Sequence, residues 1–214
     1  MQCFARWKED KNSGASFRDQ TIIQFGDSWD LLASFVLLNP GSALPKDREP
    51  QNAFLESLNL SFYVNREDRS YCRFSVDRLM NDLINLYSTK FSGGVLKLYN
   101  LFNFKNQDSA NAIEWFKANR HHADMFTPSE DVRFSGGPVI IACGRNAFAD
   151  EVLTKELKKY IALAEPGQLH SVSRVDSNLF SIVRALPDKN GIIESYHPSY
   201  TFKYGNSTIL GVKT

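Results

Sequence analysis

Residues 34–41 of this chain read SFVLLNPG, an apolar run that stops at an Asn-Pro-Gly turn. A short, continuous apolar run bounded by a turn signal is typical of a buried strand in a parallel sheet. Polar groups that follow such a strand lie at the edge of the sheet, where loops carry binding and catalytic residues. We therefore predict a central strand that delivers residues 39–42 to a functional edge.

Small or polar, turn-prone residues follow strand-like segments at four places: Asn39-Pro40-Gly41-Ser42, Asn100-Leu101-Phe102-Asn103, Cys143-Gly144-Arg145-Asn146 and His197-Pro198-Ser199-Tyr200. In a parallel sheet all four meet at one edge and offer amides, an imidazole, a guanidinium and aromatic rings around one cleft. That set of groups suits a planar heterocycle better than a phosphate or a metal. Taken singly, each segment is also an ordinary turn, and a lone histidine in a loop is more often structural than catalytic.

The rest of the chain alternates between strand-like and helix-like patterns. Candidate strands lie at residues 2–7, 21–25, 95–99, 138–142, 170–175 and 191–195, and candidate helices at 54–60, 76–87, 109–120 and 146–162. The helical period is strongest over residues 76–87, with Ser75 as the predicted cap. This alternation predicts an α/β fold, a three-layer α/β/α sandwich with a mainly parallel central sheet.

The length of the chain predicts one domain over residues 1–214. Residues 42–72 are rich in proline and charge and are interpreted as a flap or an insertion in that domain.

Composition excludes several classes of protein. The formal net charge is only +1, so any contact with nucleic acid must depend on a local basic patch, and we expect Arg73, Arg145 and Lys203 to gather around the functional edge. The three cysteines lie far apart without CxxC spacing, which predicts neither a zinc site nor an iron–sulfur cluster. We expect no cofactor, no export signal and no membrane span, and hence a cytoplasmic protein with reduced thiols.

The order of the four segments resembles the uracil-DNA glycosylase superfamily over residues 34–200. Residues 37–41, LLNPG, match the last three positions of that family's Gly-Ile-Asn-Pro-Gly motif, with Leu37 in place of the glycine. The segment His197-Pro198-Ser199 matches the family's His-Pro-Ser motif residue for residue. The combination of Leu-Asn-Pro, Asn-Leu-Phe and His-Pro also resembles a bacterial and phage branch of this fold.

The resemblance implies roles for individual residues in hydrolysis of an N-glycosidic bond. Asn39 would orient the hydrolytic water, and His197 would stabilise negative charge on the departing base. Phe74 would stack on the extruded base, and Asn100 would bind the base edge through its amide. The remaining implied contacts, to base or flanking phosphates, are Gly41, Ser42, Gly144, Arg145, Ser199 and Tyr200.

Three functions remain open from the sequence. The first is a DNA glycosylase acting on a uracil-like or modified base. The second is a non-catalytic protein that binds a nucleobase, nucleotide or DNA on the same fold, which the Leu37 departure permits. The third is an enzyme that modifies free nucleotides, with residues 42–72 as a lid. The expected partner is therefore DNA or a nucleobase or nucleotide ligand.

Overall fold

An eight-stranded sheet forms the centre of the computed structural model, which describes residues 1–176 and 179–203. The strands are β1 (Gln2–Glu9), β2 (Ser16–Phe25), β3 (Leu31–Leu37), β4 (Tyr71–Arg73), β5 (Gly94–Asn100), β6 (Val139–Ile141), β7 (Leu169–Asp176) and β8 (Leu179–Arg184). The helices are α1 (Asn52–Ser57), α2 (Arg78–Ser88), α3 (Ser109–Ala118), α4 (Glu151–Leu163) and α5 (Pro198–Lys203). The predicted α/β class is confirmed.

The sheet is mixed, so the prediction of a mainly parallel sheet is wrong in this respect. Its strand order is β4-β1-β2-β5-β3-β6-β7-β8. The four central strands β5, β3, β6 and β7 pair in parallel, and antiparallel strands extend both sides. The apolar pattern of a strand indicates burial but not direction, and the β1–β2 hairpin attaches to β5 in the antiparallel sense.

Helices cover both faces of the sheet because each has one apolar side. Helix α2 buries Met80, Leu83 and Tyr87 in a core formed with inward residues of β3 and β5. Helices α3 and α4 pack on the opposite face in a second core. Among the parallel strands, the next strand after β3 in the chain is β5, which lies on one side of β3. The strand after that, β6, lies on the other side of β3. In open α/β sheets, ligands bind where the strand order reverses in this way.

Helix α2 begins later than the sequence pattern predicted. Its cap is Asp77, whose side-chain oxygen accepts a hydrogen bond from the backbone N–H of Met80 at 3.0 Å. Ser75, the predicted cap, instead donates its hydroxyl to the backbone oxygen of Leu44 at 3.1 Å. The correction matters because it places a carboxylate at the start of α2, beside the turn that follows β3.

Two other segments differ from the sequence prediction, and the contacts of a third, residues 42–72, can now be described. The helix predicted over residues 146–162 is divided into a short 3₁₀ turn, Arg145–Phe148, and α4, which Asp150 caps. Residues 191–195 form no strand, and β8 supplies the last strand of the described sheet instead. Residues 42–72 pack on the sheet for part of their length: Leu55 and Phe62 are buried, and β4 pairs with β1.

Candidate functional site

A cavity of about 460 Å³ lies where β3 and β5 end, and we call it the Asn39 cavity. Six of the residues in its wall are Leu37, Asn39, Gly41, Ser42, His197 and Ser199. Arg18, Asp77 and Leu98 line it as well. This volume falls in the range of small-molecule sites in proteins. The cavity brings together the first and last of the four segments that the sequence analysis singled out.

The turn after β3 orients the amide of Asn39. Asn39 Nδ2 donates to the backbone oxygen of Asn106 at 2.7 Å, which leaves the side-chain oxygen Oδ1 as the acceptor of that amide. Gly41 adopts a positive φ of 69°, and a Cβ there would lie 3.1 Å from Asp77 Oδ2. Glycine is therefore required both by the turn and by the nearness of the start of α2.

His197 is held by the residue two positions after it. Its Nδ1 atom lies 2.7 Å from the Ser199 hydroxyl and accepts the backbone N–H of Ser199 at 3.3 Å. An Nδ1 that accepts carries no proton, so the neutral ring keeps its proton on Nε2 as a donor. Loss of solvent around the ring lowers the pKa of His197 to about 4, although Asp77 opposes the shift. The imidazole is therefore neutral near pH 7.

A second cavity of about 570 Å³ lies on the other side of His197, and we call it the Arg145 cavity. Gly144, Arg145 and Tyr200 line it, and His197 and Ser199 belong to both cavities. Gly144 has a φ of 72°, and a Cβ there would lie 3.1 Å from the Cβ of His197. The absence of a side chain at Gly144 thus lets the segment after β6 approach the histidine.

Arg18 is a wall residue of the Asn39 cavity that sequence reasoning missed. It is 3% exposed, and its Nη2 donates to the backbone oxygen of Pro40. Within the described residues, its Nε and Nη1 atoms have no hydrogen-bond partner. Burial lowers the pKa of the guanidinium, and the nearby Asp77 opposes that effect. The signal that was available is the run Arg18-Asp19-Gln20, three polar residues inside a segment that reads as a strand.

Phe74 and Asn100 do not line the Asn39 cavity. Phe74 is 2% exposed, packs edge-on against Trp7 with ring centroids 5.5 Å apart, and lies 5.6 Å from Arg18 Cζ. Asn100 is 2% exposed at the end of β5, where its backbone oxygen accepts the Tyr160 hydroxyl at 3.0 Å. The structure therefore places Phe74 behind Arg18 and Asn100 inside the core, away from the position of a ligand in this cavity.

Positive charge gathers around only part of this edge. Arg145 and Arg174 line the Arg145 cavity, and Arg18 and Arg78 line the Asn39 cavity together with Asp77 and Asp82. Arg73, which we expected at the same edge, lies on β4 beside a different cavity. The side chain of Lys203, also expected there, lies outside the described residues.

No protein-family model, no curated protein and no solved structure matches this chain.

The side chains and helices of the described residues also bear on the class of site. They contain no group of three or more His, Cys, Asp or Glu side chains arranged to hold a metal ion. None of the helices in residues 1–176 and 179–203 is both long and apolar enough to cross a membrane. Cys3, Cys72 and Cys143 are free thiols, and all three are buried. The polar groups of the Asn39 cavity are thus amide, imidazole, hydroxyl, guanidinium and carboxylate.

Proposed function

We propose that this chain hydrolyses the N-glycosidic bond of a uracil-like or modified base that is extruded from DNA into the Asn39 cavity. The observation that carries the proposal is that Asn39 and His197, far apart in the sequence, line one cavity. These are the two residues to which the resemblance assigns the water and the departing base. Hydrolysis of this bond passes through a cationic sugar and an anionic base, so a protein accelerates it by stabilising both charges.

His197 has the properties of a donor to the departing base. Its neutral ring carries the proton on Nε2, because Nδ1 accepts from Ser199. A fixed N–H donor at the place where negative charge develops stabilises the transition state more than the ground state. Because the pKa of His197 is about 4, the ring acts as a hydrogen-bond donor and does not transfer a proton at neutral pH.

Asn39 has the properties of a residue that positions water. Its Nδ2 is occupied by the backbone oxygen of Asn106. The side-chain oxygen is left to accept a hydrogen bond from a water molecule and hold it near the sugar carbon. An amide is a weak base, so its contribution is orientation of the nucleophile, and the positive charge on the sugar supplies the reactivity.

The Arg145 cavity suits the nucleotides that flank the extruded base. It adjoins the Asn39 cavity through His197 and Ser199, and Arg145 and Tyr200 in its wall provide a cation and an aromatic ring. Tyr200 is 46% exposed, and its ring centre lies 6.0 Å from that of Tyr196, so the two rings form an aromatic surface on which a base can stack. Phosphate neutralisation supplies most of the affinity for DNA, and extrusion of a base requires unstacking that such contacts offset.

A protein that binds a base without hydrolysis is the second candidate. Leu37 lines the Asn39 cavity at the position where the resembled motif has glycine. A side chain in place of glycine at this position leaves less room for the hydrolytic water, which favours binding without hydrolysis. An enzyme acting on free nucleotides receives less support, because the segment proposed as its lid buries Leu55 and Phe62 against the body of the protein.

Incubation with modified oligonucleotides separates these candidates. The substrates are single- and double-stranded oligonucleotides that carry uracil, hypoxanthine, hydroxymethyluracil or a mismatch, followed by alkali to cleave abasic sites. A glycosylase gives cleavage at the modified position, and the His197→Ala variant loses it. Binding of the same oligonucleotides without cleavage would support the second candidate and contradict hydrolysis.

A further inference from the structure

The wall of the Asn39 cavity includes the buried guanidinium of Arg18, of which two nitrogen atoms have no hydrogen-bond partner in the described part of the chain. We propose that Arg18 binds an anionic oxygen of the ligand, so that the site takes a nucleobase which carries a negative charge or acquires one on release. The proposal rests on the function proposed above, because it takes the occupant of the cavity to be a base. It goes further by naming the charge of the ligand and the residue that recognises it.

The side chain of Arg18 lies in an almost fully buried environment. The side chain is 3% exposed, and two of its three nitrogen atoms have no hydrogen-bond partner within the described residues. Buried charges in proteins are almost always paired, because desolvation of an ion is strongly unfavourable. A cation left in this condition beside a cavity indicates that the missing partner belongs to the ligand.

The groups around Arg18 indicate the kind of partner that would complete the site. Asp77 acts on Arg18 only through space, and its Oδ1 atom is already engaged by the N–H of Met80. Phe74 lies behind the guanidinium, with its ring centre 5.6 Å from Arg18 Cζ. Arg18 also lines the Asn39 cavity, and a planar oxygen acceptor is the partner that the fork of an arginine fits best.

A structural role for Arg18 is the main alternative. Its Nη2 donates to the backbone oxygen of Pro40, in the turn that carries Asn39. If this contact is its only purpose, removal of the guanidinium displaces the turn and weakens every ligand of the cavity equally. If Arg18 instead recognises an anion, removal of its guanidinium weakens the binding of charged ligands and leaves that of uncharged ligands nearly unchanged. The comparison of a charged with an uncharged base therefore distinguishes the two roles.

Two sources of the negative charge are compatible with the site. The base carries a permanent anionic group, or it becomes an anion when the N-glycosidic bond breaks and the bonding electron pair stays on the base. Water supplies the hydroxyl group to the sugar, and the base later takes up a proton from solvent. Uracil-6-carboxylate represents the first source, and 5-fluorouracil, which ionises at lower pH than uracil, represents the second.

The test is calorimetric titration of the full-length protein with uracil, uracil-6-carboxylate and 5-fluorouracil. The variants are Arg18→Met, Arg18→Lys and, as a control for loss of one positive charge, Arg73→Met, which lies outside the Asn39 cavity. Thermal unfolding of each variant establishes that it is folded. For 5-fluorouracil, the titration is repeated at increasing pH through the ionisation of the base.

We expect Arg18→Met to weaken an anionic base by about tenfold to hundredfold, the size of a charge-assisted hydrogen bond, and to leave uracil nearly unchanged. Arg18→Lys should recover part of the affinity, and Arg73→Met should lose none.

Wild-type affinity for 5-fluorouracil should rise with pH if the anion formed on release is the recognised species, and a preference for uracil-6-carboxylate alone would identify the permanent anion. Equal losses for charged and uncharged bases would overturn the proposal and leave the base site standing. No binding of any of the three bases to the wild type would overturn both.

Discussion

The two faces of the β1–β2 hairpin each bury an arginine, and the two side chains have opposite surroundings. Arg6 on β1 is 1% exposed and lies 2.6 Å from Asp19 and 2.8 Å from Asp131. Although burial opposes its charge, these carboxylates raise the pKa of Arg6. Arg18 on β2 is equally buried on the other face, where burial lowers its pKa.

The difference separates two kinds of buried charge in this fold. One kind is paired with carboxylates of the protein, and the other lies beside a cavity. The carboxylates around Arg6 are shared with Arg69, which lies 3.3 Å from Asp19 and 2.6 Å from Asp124. In this network the carboxylates pair both arginines, although Nη1 of Arg6 and Nε of Arg69 have no hydrogen-bond partner among the described residues. Arg18 lies beside a cavity with two nitrogen atoms that have no partner in the described part of the chain. We expect the first arginine to contribute to folding and the second to be kept at a cost to it.

Removal of Asp19 should have the largest effect on stability. The Asp19→Ala variant leaves Arg6 with one fewer carboxylate in a buried site, and we expect the free energy of unfolding to fall by about 3–5 kcal/mol. Denaturant unfolding measures this change. Glu9→Gln is the control, because the exposed Arg48–Glu9 pair contributes only about 0–1 kcal/mol. Similar losses in both variants would contradict the distinction between the buried network and an exposed ion pair.

His197→Ala should lower the rate of base release by about a hundredfold while leaving base binding nearly unchanged. The reason is that the Nε2–H donor stabilises charge that develops only in the transition state. Single-turnover cleavage of a modified oligonucleotide measures the rate, and titration of the free base measures binding. A variant that binds the base more weakly, but cleaves the oligonucleotide at the wild-type rate when saturated with it, would show that His197 acts in recognition and not in catalysis.

The sequence predicted which edge of the sheet Asn39 and His197 share better than it predicted which other residues line the cavity there. The apolar runs of β3, β5 and β6 identified the edge where Asn39 and His197 meet, because strands in parallel end at the same side. Asn100 does not line the Asn39 cavity, since residues 101–104 that follow it are buried too and keep the end of β5 inside the protein. A strand pattern fixes the face of a side chain but not the path of the chain beyond the strand.

The two residues that sequence reasoning missed depend on contacts between distant segments. Arg18 lies on a strand whose direction and neighbours the apolar pattern does not specify, and Asp77 was hidden by the more obvious cap Ser75. Phe74 was placed correctly before α2 but packs on Trp7 across the hairpin. Sequence spacing gives no information on which of two nearby aromatic or polar groups faces a cavity.

The pKa of His197 predicts a dependence of stability on pH. The folded value is about 4 and the unfolded value is about 6.5, so the unfolded chain takes up the proton first as pH falls. Stability that the neutral ring supplies is complete above about pH 6.5 and is lost as pH falls to about 4. The His197→Asn variant should lack this component, so the difference in unfolding free energy between it and the wild type should change across that window. A constant difference would contradict the lowered pKa.

Asp77→Asn should have the smallest effect and should sharpen the comparison between the two arginines. Asparagine caps a helix as well as aspartate, so the free energy of unfolding should change by less than about 0.5 kcal/mol. Loss of the negative charge near Arg18 should strengthen an anionic base by about twofold to fivefold. Weaker binding of uracil-6-carboxylate by this variant would show that Asp77 orients the ligand instead of opposing its charge.

Measurement of stability and ligand affinity on the same Arg18→Met protein tests the central claim most directly. If Arg18 is retained for a ligand, replacement of its unpaired charge by an apolar side chain leaves the free energy of unfolding unchanged or raises it by about 1–4 kcal/mol. Affinity for uracil-6-carboxylate should fall in that same variant. A protein that becomes less stable and binds the anionic base as tightly as the wild type would contradict the account, because Arg18 would then serve the fold in the way that Arg6 does.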